Sequence, residues 1–146
     1  MRNNKIYKNL ILRYGINPDN YHYSNYATHI GKGYNEFCGD QINLYVIKHN
    51  KFIKNISFLG KSCAISTAST SLMIKLIKGK NIRDIKKFFF IFSNMFIDNN
   101  ISISFDKKYL DLENLSYVKQ YPSRIKCVTL PWNILYNMVI KENFQK

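Results

Sequence analysis

The sequence predicts a small α+β fold in which an antiparallel β-sheet is covered by helices on one face. The evidence for the sheet is an alternation of apolar and polar residues over 41–48 and again over 52–59, with the polar stretch 49–51 between them. A period of two is typical of strands with one buried face, so these residues predict a β-hairpin. The evidence for helices is the spacing of three and four between apolar residues after residue 63.

The remaining elements follow from the same patterns in chain order. Residues 7–14 have a loose helical period, and residues 19–33 predict a polar loop with room for one short edge strand. Residues 63–78 and 82–96 each predict a helix. An irregular insert is predicted at 101–105, a short helix at 109–115 and a turn at 117–123. A final helix is predicted to begin at Cys127 or slightly later. The residues predicted to be buried include Ile42, Leu44, Val46, Ile65, Leu72, Leu76 and Leu135.

Length and composition limit the class of protein. With 146 residues, 46% of them hydrophobic, the chain is expected to form one domain over 1–146 with a substantial core. No segment approaches the roughly 20 apolar residues of a membrane-spanning helix. No apolar run preceded by basic residues opens the chain. We therefore expect a cytoplasmic protein with no membrane partner.

The formal net charge of +13 invites a nucleic-acid interpretation, which the distribution of charge does not favour. The lysines are scattered along the chain rather than gathered into a basic block with stacking aromatics. Lys, Asn, Ile, Tyr and Phe are all abundant and all have AT-rich codons, so a base-composition bias accounts for much of the lysine. We expect a solvated basic surface and no specific nucleic-acid partner.

Three cysteines (Cys38, Cys63 and Cys127) and Asp40 are the candidate metal ligands. Cys38 and Asp40 share one short loop, and the predicted hairpin brings that loop beside Cys63 because antiparallel partners begin and end together. Three thiolates and one carboxylate make the four anionic donors of a tetrahedral zinc site. An odd number of cysteines excludes a complete disulfide framework, while a single cysteine is as often a small buried hydrophobe. By themselves, the residues predict a metal or thiol site.

The histidines are weaker candidates for ligands. His49 lies at the far end of the predicted hairpin from Cys38, and His22 and His29 precede the site on a flexible segment. Cys63, by contrast, stands at the predicted start of a helix, where the dipole and free N–H groups favour the thiolate.

Each cysteine lies in a distinctive block of sequence. Residues 35–42 are Asn-Glu-Phe-Cys-Gly-Asp-Gln-Ile, residues 58–66 are Phe-Leu-Gly-Lys-Ser-Cys-Ala-Ile-Ser, and residues 122–132 are Pro-Ser-Arg-Ile-Lys-Cys-Val-Thr-Leu-Pro-Trp. In order, these blocks resemble NPxCGDxI, the start of FxGxGCAISxASxSMM, and PxRxKCxxLxW of the IscU/NifU N-terminal family of iron–sulfur cluster assembly proteins. The resemblance spans roughly residues 20–140 and implies a SufE/NifU-like fold.

Two features resemble the SufU branch of that family, which binds zinc and accepts sulfur. Lys126 stands where IscU-type chains have a histidine before the last cysteine, and the chain has extra residues around 94–114. Ser62 and Pro131 replace the family's usual glycine and alanine. Serine fits if its position does not require a positive φ. Proline fits a first helical turn, and so requires the last helix to begin near Cys127 or later.

The resemblance implies that Cys38, Asp40, Cys63 and Cys127 hold zinc. It also implies that Cys38 accepts sulfur from the persulfide of a cysteine desulfurase of the SufS type, for use by downstream iron–sulfur assembly machinery. Arg124, which matches the family's arginine, is expected to steady the anionic site, with an ordinary surface ion pair as the alternative.

Two other functions are consistent with the same four ligands. The first alternative is a scaffold on which an iron–sulfur cluster is assembled and then transferred to apo-proteins. Lys126 argues against it, because lysine removes a usual ligand from that position. The second alternative is a structural zinc domain that acts as an adaptor. The function that the resemblance implies is a zinc-dependent sulfurtransferase that works only with a cysteine desulfurase.

Overall fold

The fold combines one small sheet with five α-helices, as a computed structural model that describes residues 2–96 and 107–141 shows. The sheet is antiparallel throughout, with strand order β1-β2-β3. Its strands are β1 (His29–Asn35), β2 (Asp40–His49) and β3 (Phe52–Lys61). The helices are α1 (Arg2–Gly15), α2 (Ala64–Ile77), α3 (Ile82–Phe96), α4 (Leu110–Leu115) and α5 (Ile125–Leu135). The predicted α+β class is confirmed.

The predicted hairpin is β2 and β3, joined by a tight turn. Asn50 in that turn has a φ of 54°, a left-handed conformation that asparagine tolerates better than most residues. Pairing runs from His49 opposite Phe52 at the turn to Gln41 opposite Lys61 at the other end. The alternating apolar residues of both strands lie in the core, among them Ile42, Leu44, Val46, Ile53, Ile56 and Phe58.

The edge strand β1 escaped a firm prediction because glycines replace apolar residues on its inner face. A Cβ added at Gly31 would lie 2.7 Å from a methyl group of Ile134, and one at Gly33 would lie 2.5 Å from another. Helix α5 therefore packs directly on the backbone of β1, and side chains there would push it away. Because glycine stands where the inward-facing apolar residues would be, the sequence of β1 shows no alternation of apolar and polar residues.

Helix α2 is central to the packing and is unusually rich in hydroxyl groups. Buried Ser69 donates a hydrogen bond to the carbonyl of Val128 at 2.6 Å and accepts one from the indole N–H of Trp132 at 3.1 Å. Trp132 in turn stacks on Phe92 of α3, with ring centroids 4.2 Å apart. These contacts fix α5, and with it Cys127, against two other helices.

Helix α5 begins at Ile125, two residues before the predicted start at Cys127. Pro131 consequently lies inside the helix, where it removes the hydrogen bond to the carbonyl of Cys127. The buried side chains of Pro131, Trp132 and Leu135 show why the helix continues: the packing of α5 outweighs one lost backbone bond. The expectation that proline requires a later start was wrong.

The smaller predictions have mixed outcomes. Six of the seven residues predicted to be buried are buried, and the seventh, Ile65, packs half-buried against the core. Residues 117–123 fold as two short helical turns, Ser116–Gln120 and Pro122–Arg124, rather than as a simple turn. The predicted insert at 101–105 lies outside the described residues. None of the helices in the described part of the chain has both the length and the apolar character needed to cross a bilayer.

Candidate metal centre

The turn between β1 and β2 presents the first cysteine. Asn35 pairs with Asp40 across the end of the two strands, and the four residues between them form the turn. Gly39 has a φ of 68°, the left-handed region that favours glycine, and this reversal returns the chain into β2 immediately after Cys38. Cys38 is therefore half-buried on a loop, whereas Asp40 begins a strand and is fully buried.

Asp40 is held by two hydrogen bonds from different elements. The backbone N–H of Cys63 donates to its Oδ1 at 2.8 Å, and the side-chain amide of Asn35 donates to its Oδ2 at 3.1 Å. The first bond follows from the hairpin, because Gln41 is paired with Lys61 and the residues just beyond this pair must be neighbours. The predicted juxtaposition of the Cys38 loop and Cys63 is thereby confirmed.

Three of the four predicted ligands form one compact group. The Sγ atoms of Cys38 and Cys127 are 3.1 Å apart, and both lie within 4.8 Å of a carboxylate oxygen of Asp40. The Sγ of Cys63 lies outside that group but is 4.0 Å from Oδ2 of Asp40. It accepts a hydrogen bond from the N–H of Ser66 at 3.4 Å and so caps helix α2. Cys63 thus borders the site from the start of a helix, as predicted.

Burial opposes ionisation of two of the three thiols. Burial raises the pKa of Cys127, and its contacts with Cys38, Cys63 and Asp40 raise it further. Burial likewise raises the pKa of Cys63, as does the charge of Asp40, while the N–H of Ser66 acts in the opposite direction. For Cys63, burial thus outweighs the helix start that was expected to favour the thiolate.

The donor set fits zinc. Bound to one tetrahedral zinc at about 2.3 Å each, two thiolates stand about 3.8 Å apart, so Cys38 and Cys127 would need to separate by less than about 1 Å. A thiolate-rich set with one carboxylate suits zinc and iron–sulfur centres better than magnesium or calcium, which prefer oxygen donors. A divalent cation would also offset the repulsion between the negative charges of the thiolates and the Asp40 carboxylate, which lie close together.

Two cationic side chains stand at the mouth of the site. Arg124 donates from Nη1 to the Sγ of Cys38 at 3.4 Å. Hydrogen bonding to Cys127 and the charges of the three cysteines raise the pKa of Arg124. The ammonium of Lys126 lies over an aromatic ring, with its Nζ 4.5 Å from the ring centroid of Phe37. Arg124 therefore contacts the site directly, as expected from its place in the third block.

The histidines do not join the ligands. His22 is hydrogen-bonded through Nδ1 to the carbonyl of Tyr23, and His29 through Nδ1 to the hydroxyl of Thr28. Among the described residues, no histidine belongs to a group of three or more ligand atoms close enough to share a metal ion.

Asn35 is the site residue to which the sequence analysis gave no role. It is only 6% exposed, and its amide donates to Asp40 and, at 3.6 Å, toward the Sγ of Cys127. Its Oδ1 accepts from the backbone N–H of Phe37 at 3.3 Å, which ties it to the turn itself. The sequence did contain a signal for a role of Asn35, because this residue opens the first of the three blocks that resemble the family.

The serine at position 62, where the family usually has glycine, fits the local backbone. Among described residues other than glycine, only Asn50 has a positive φ, so Ser62 does not occupy a conformation reserved for glycine. Its hydroxyl is hydrogen-bonded to that of Thr67 at 2.8 Å, and helix α2 still begins beside Cys63, whose thiol caps the helix by accepting the N–H of Ser66.

Comparison with known proteins agrees with this geometry. The family of NifU-like N-terminal domains matches residues 6–109. The chain belongs to this family. It is 35% identical over 137 residues to the zinc-dependent sulfurtransferase SufU of Bacillus subtilis, an alignment that covers 94% of this chain and 91% of that protein. The resemblance inferred from the three blocks is confirmed.

Two further NifU-like relatives extend the comparison. The iron–sulfur cluster assembly scaffold protein IscU of Thermotoga maritima is 35% identical over 109 residues, which is 75% of each chain. A crystal structure from Fervidobacterium islandicum, of a proposed iron–sulfur cluster assembly scaffold protein for the SUF system (FiSufU), superimposes with a TM-score of 0.79 at 32% identity. That match covers 92% of this chain and 96% of the other.

Proposed function

We propose that this chain accepts sulfur from the persulfide of a cysteine desulfurase, on Cys38, and supplies it for iron–sulfur cluster assembly. In this proposal a zinc ion is held by Cys38, Asp40, Cys63 and Cys127. The observation that carries the proposal is the contrast among the three thiols: Cys38 is half-buried on a glycine turn, Cys127 is buried within a helix, and Cys63 caps one. The B. subtilis relative, named as a zinc-dependent sulfurtransferase, supports the same function.

Sulfur transfer to Cys38 is a simple thiolate exchange. The Sγ of Cys38 attacks the outer sulfur of the donor persulfide, a new S–S bond forms, and the donor cysteine leaves as a thiolate. One persulfide and one thiolate are consumed and one of each is formed, so no external oxidant or reductant is required. Zinc supplies a redox-inert centre that keeps the cysteines deprotonated when it is bound.

The neighbouring residues have distinct tasks in this exchange. Arg124, in contact with the Sγ of Cys38, offers a positive charge that stabilises both the attacking thiolate and the persulfide anion that replaces it. Asp40 and Cys127 remain in place on buried backbone while Cys38 moves. In this proposal Cys38 is the ligand that moves, because it lies on a loop rather than in a helix or strand.

The second candidate function is a cluster scaffold, favoured by the relatives that are named as IscU scaffold proteins. Against it stands Lys126, which occupies the place of a usual histidine ligand and directs its ammonium group over the ring of Phe37. Metal analysis of protein purified without added metal separates the two functions. About one zinc per chain in a colourless protein is expected for the sulfur acceptor, and a brown iron-containing protein for the scaffold.

The decisive test is to incubate the chain with a SufS-type cysteine desulfurase and cysteine, and then to locate the persulfide by mass spectrometry. We expect one added sulfur on Cys38 and stimulated desulfurase turnover, both lost in Cys38→Ser. Arg124→Gln, which keeps the zinc ligands, should still bind zinc but accept sulfur more slowly. Persulfide on Cys127 in the presence of intact Cys38 would contradict the assigned role, and a stable cluster without persulfide would favour the scaffold.

A further inference from the structure

We propose that Lys126 and Phe37 form a latch that holds the Cys38 loop against Cys127 and sets how readily the Sγ of Cys38 leaves the metal centre. This inference rests on the proposed function, in which Cys38 must move to meet the sulfur donor. It assigns a positioning role to two residues that are not among the proposed metal ligands. The two residues adjoin the two cysteines whose sulfur atoms are 3.1 Å apart.

The first observation is the geometry of the pair. The ammonium of Lys126 lies 4.5 Å from the ring centroid of Phe37, within the range of a cation–π interaction. Phe37 precedes Cys38 on the β1–β2 turn, and Lys126 precedes Cys127 on helix α5. The contact therefore joins the mobile loop to the fixed helix at the point where the two thiols meet.

The second observation is that neither side chain would be stabilised in its position without the other. Phe37 is 75% exposed, so burial does little to hold its ring where it is. Lys126 lies in the first turn of α5, where the positive end of the helix dipole disfavours a cation. An aromatic face accepts the ammonium and compensates for that unfavourable position.

The third observation is that the loop has little packing of its own. A Cβ added at Gly39 would have no heavy atom within 4 Å, which shows open space beside the turn. Among the described residues, the polar and ring contacts that tie the loop to the body of the protein are the Asn35 hydrogen bond, the pair of cysteine sulfurs, Arg124 and the Phe37–Lys126 pair. Removing one of so few attachments should measurably raise the rate at which the loop opens.

Alkylation of individual cysteines tests the latch without any desulfurase. Each variant, as purified and at equal measured metal content, is treated with iodoacetamide, and the rates at Cys38 and Cys63 are followed by mass spectrometry. Phe37→Leu and Lys126→Met should each raise the Cys38 rate relative to Cys63 by about twofold to fivefold, the range that an exposed cation–π pair supports. Lys126→Arg, which retains the interaction, should react like the wild type.

Matched controls lie at the far end of the β2–β3 hairpin. Lys51→Met removes the same charge, and Phe52→Leu shortens an aromatic side chain that is 51% exposed, so neither should alter the rate ratio. The double variant Phe37→Leu/Lys126→Met should react no faster than either single variant, because both substitutions break one contact.

Three results would overturn the latch. If Lys126 acted only through its charge on the thiols, Lys126→Met would slow alkylation of Cys38 and Phe37→Leu would have no effect. If the substitutions loosened the whole fold, Cys63 would accelerate equally. If the double variant multiplied the two single effects, the residues would act separately. Because the assay contains no sulfur donor, a positive result stands even if persulfide never forms on Cys38, and failure of the latch leaves sulfur acceptance untouched.

Discussion

Replacing Asn35 by alanine tests whether this buried amide builds the metal centre. The substitution removes the hydrogen bond to Oδ2 of Asp40, the donor directed at Cys127 and the acceptor for the N–H of Phe37. A hydrogen bond to a charged group contributes about 1.5–3 kcal/mol and a neutral one about 1 kcal/mol, so we expect a loss of about 2–4 kcal/mol in the unfolding free energy. Loss of a residue that orients a metal ligand typically weakens metal affinity about 10–100-fold.

The assays are urea denaturation of the metal-free protein and zinc titration against a competing chelator. Asn43→Ala is the matched control: Asn43 lies on β2, and within the described part of the chain its buried Oδ1 has no hydrogen-bond partner. Its removal should cost less than about 1 kcal/mol and leave zinc affinity unchanged. Zinc affinity of Asn35→Ala within about threefold of the wild type would refute the reasoning, because Asp40 would then need no support from Asn35.

Three further predictions concern the same molecule. Gly39→Ala and Gly79→Ala both place a methyl group at a positive φ with open space around it, so each should cost about 1 kcal/mol in urea unfolding, but only the first should weaken zinc binding. Tyr7→Phe should leave stability unchanged at pH 7, or raise it by up to about 1 kcal/mol, because the buried hydroxyl of Tyr7 has no partner among the described residues. Burial raises the pKa of Tyr7 to about 12, above the unfolded value near 10, so the wild type should also lose stability as the pH rises from 10 to 12, and Tyr7→Phe should remove that loss. Zinc binding should release at least two protons at pH 7, because the raised pKa values of Cys63 and Cys127 mean that both thiols must lose a proton to bind the metal, and calorimetry in buffers of different ionisation enthalpy measures that number.

Local sequence patterns were sufficient to predict the elements whose apolar residues recur at a regular spacing. The alternation of Ile42, Leu44 and Val46 predicted β2, and its pairing with β3 then followed from a short turn. Cys38 and Asp40 are two residues apart, so their proximity needed no knowledge of the fold. Cys63 came next to them because the two strands of a hairpin end together.

Contacts between distant parts of the chain were beyond such patterns. Strand β1 lacks apolar alternation because Gly31 and Gly33 let helix α5 rest on its backbone. The start of α5 depends on packing around Trp132 and Ser69, which outweighs the unfavourable proline within it.

The sequence by itself therefore determined which residues can bind a metal and which strands bring two of the three thiols together, because those relations are local. The tertiary structure alone decided that Arg124 reaches Cys38 across 86 residues of sequence, and that the ammonium of Lys126 lies over the ring of Phe37. It also decided that Asn35 supports Asp40 from within the core. The contacts of Arg124 and Lys126 depend on the docking of α5 against the sheet. That docking is a balance of many weak contacts between distant segments, and no short pattern of residues records it.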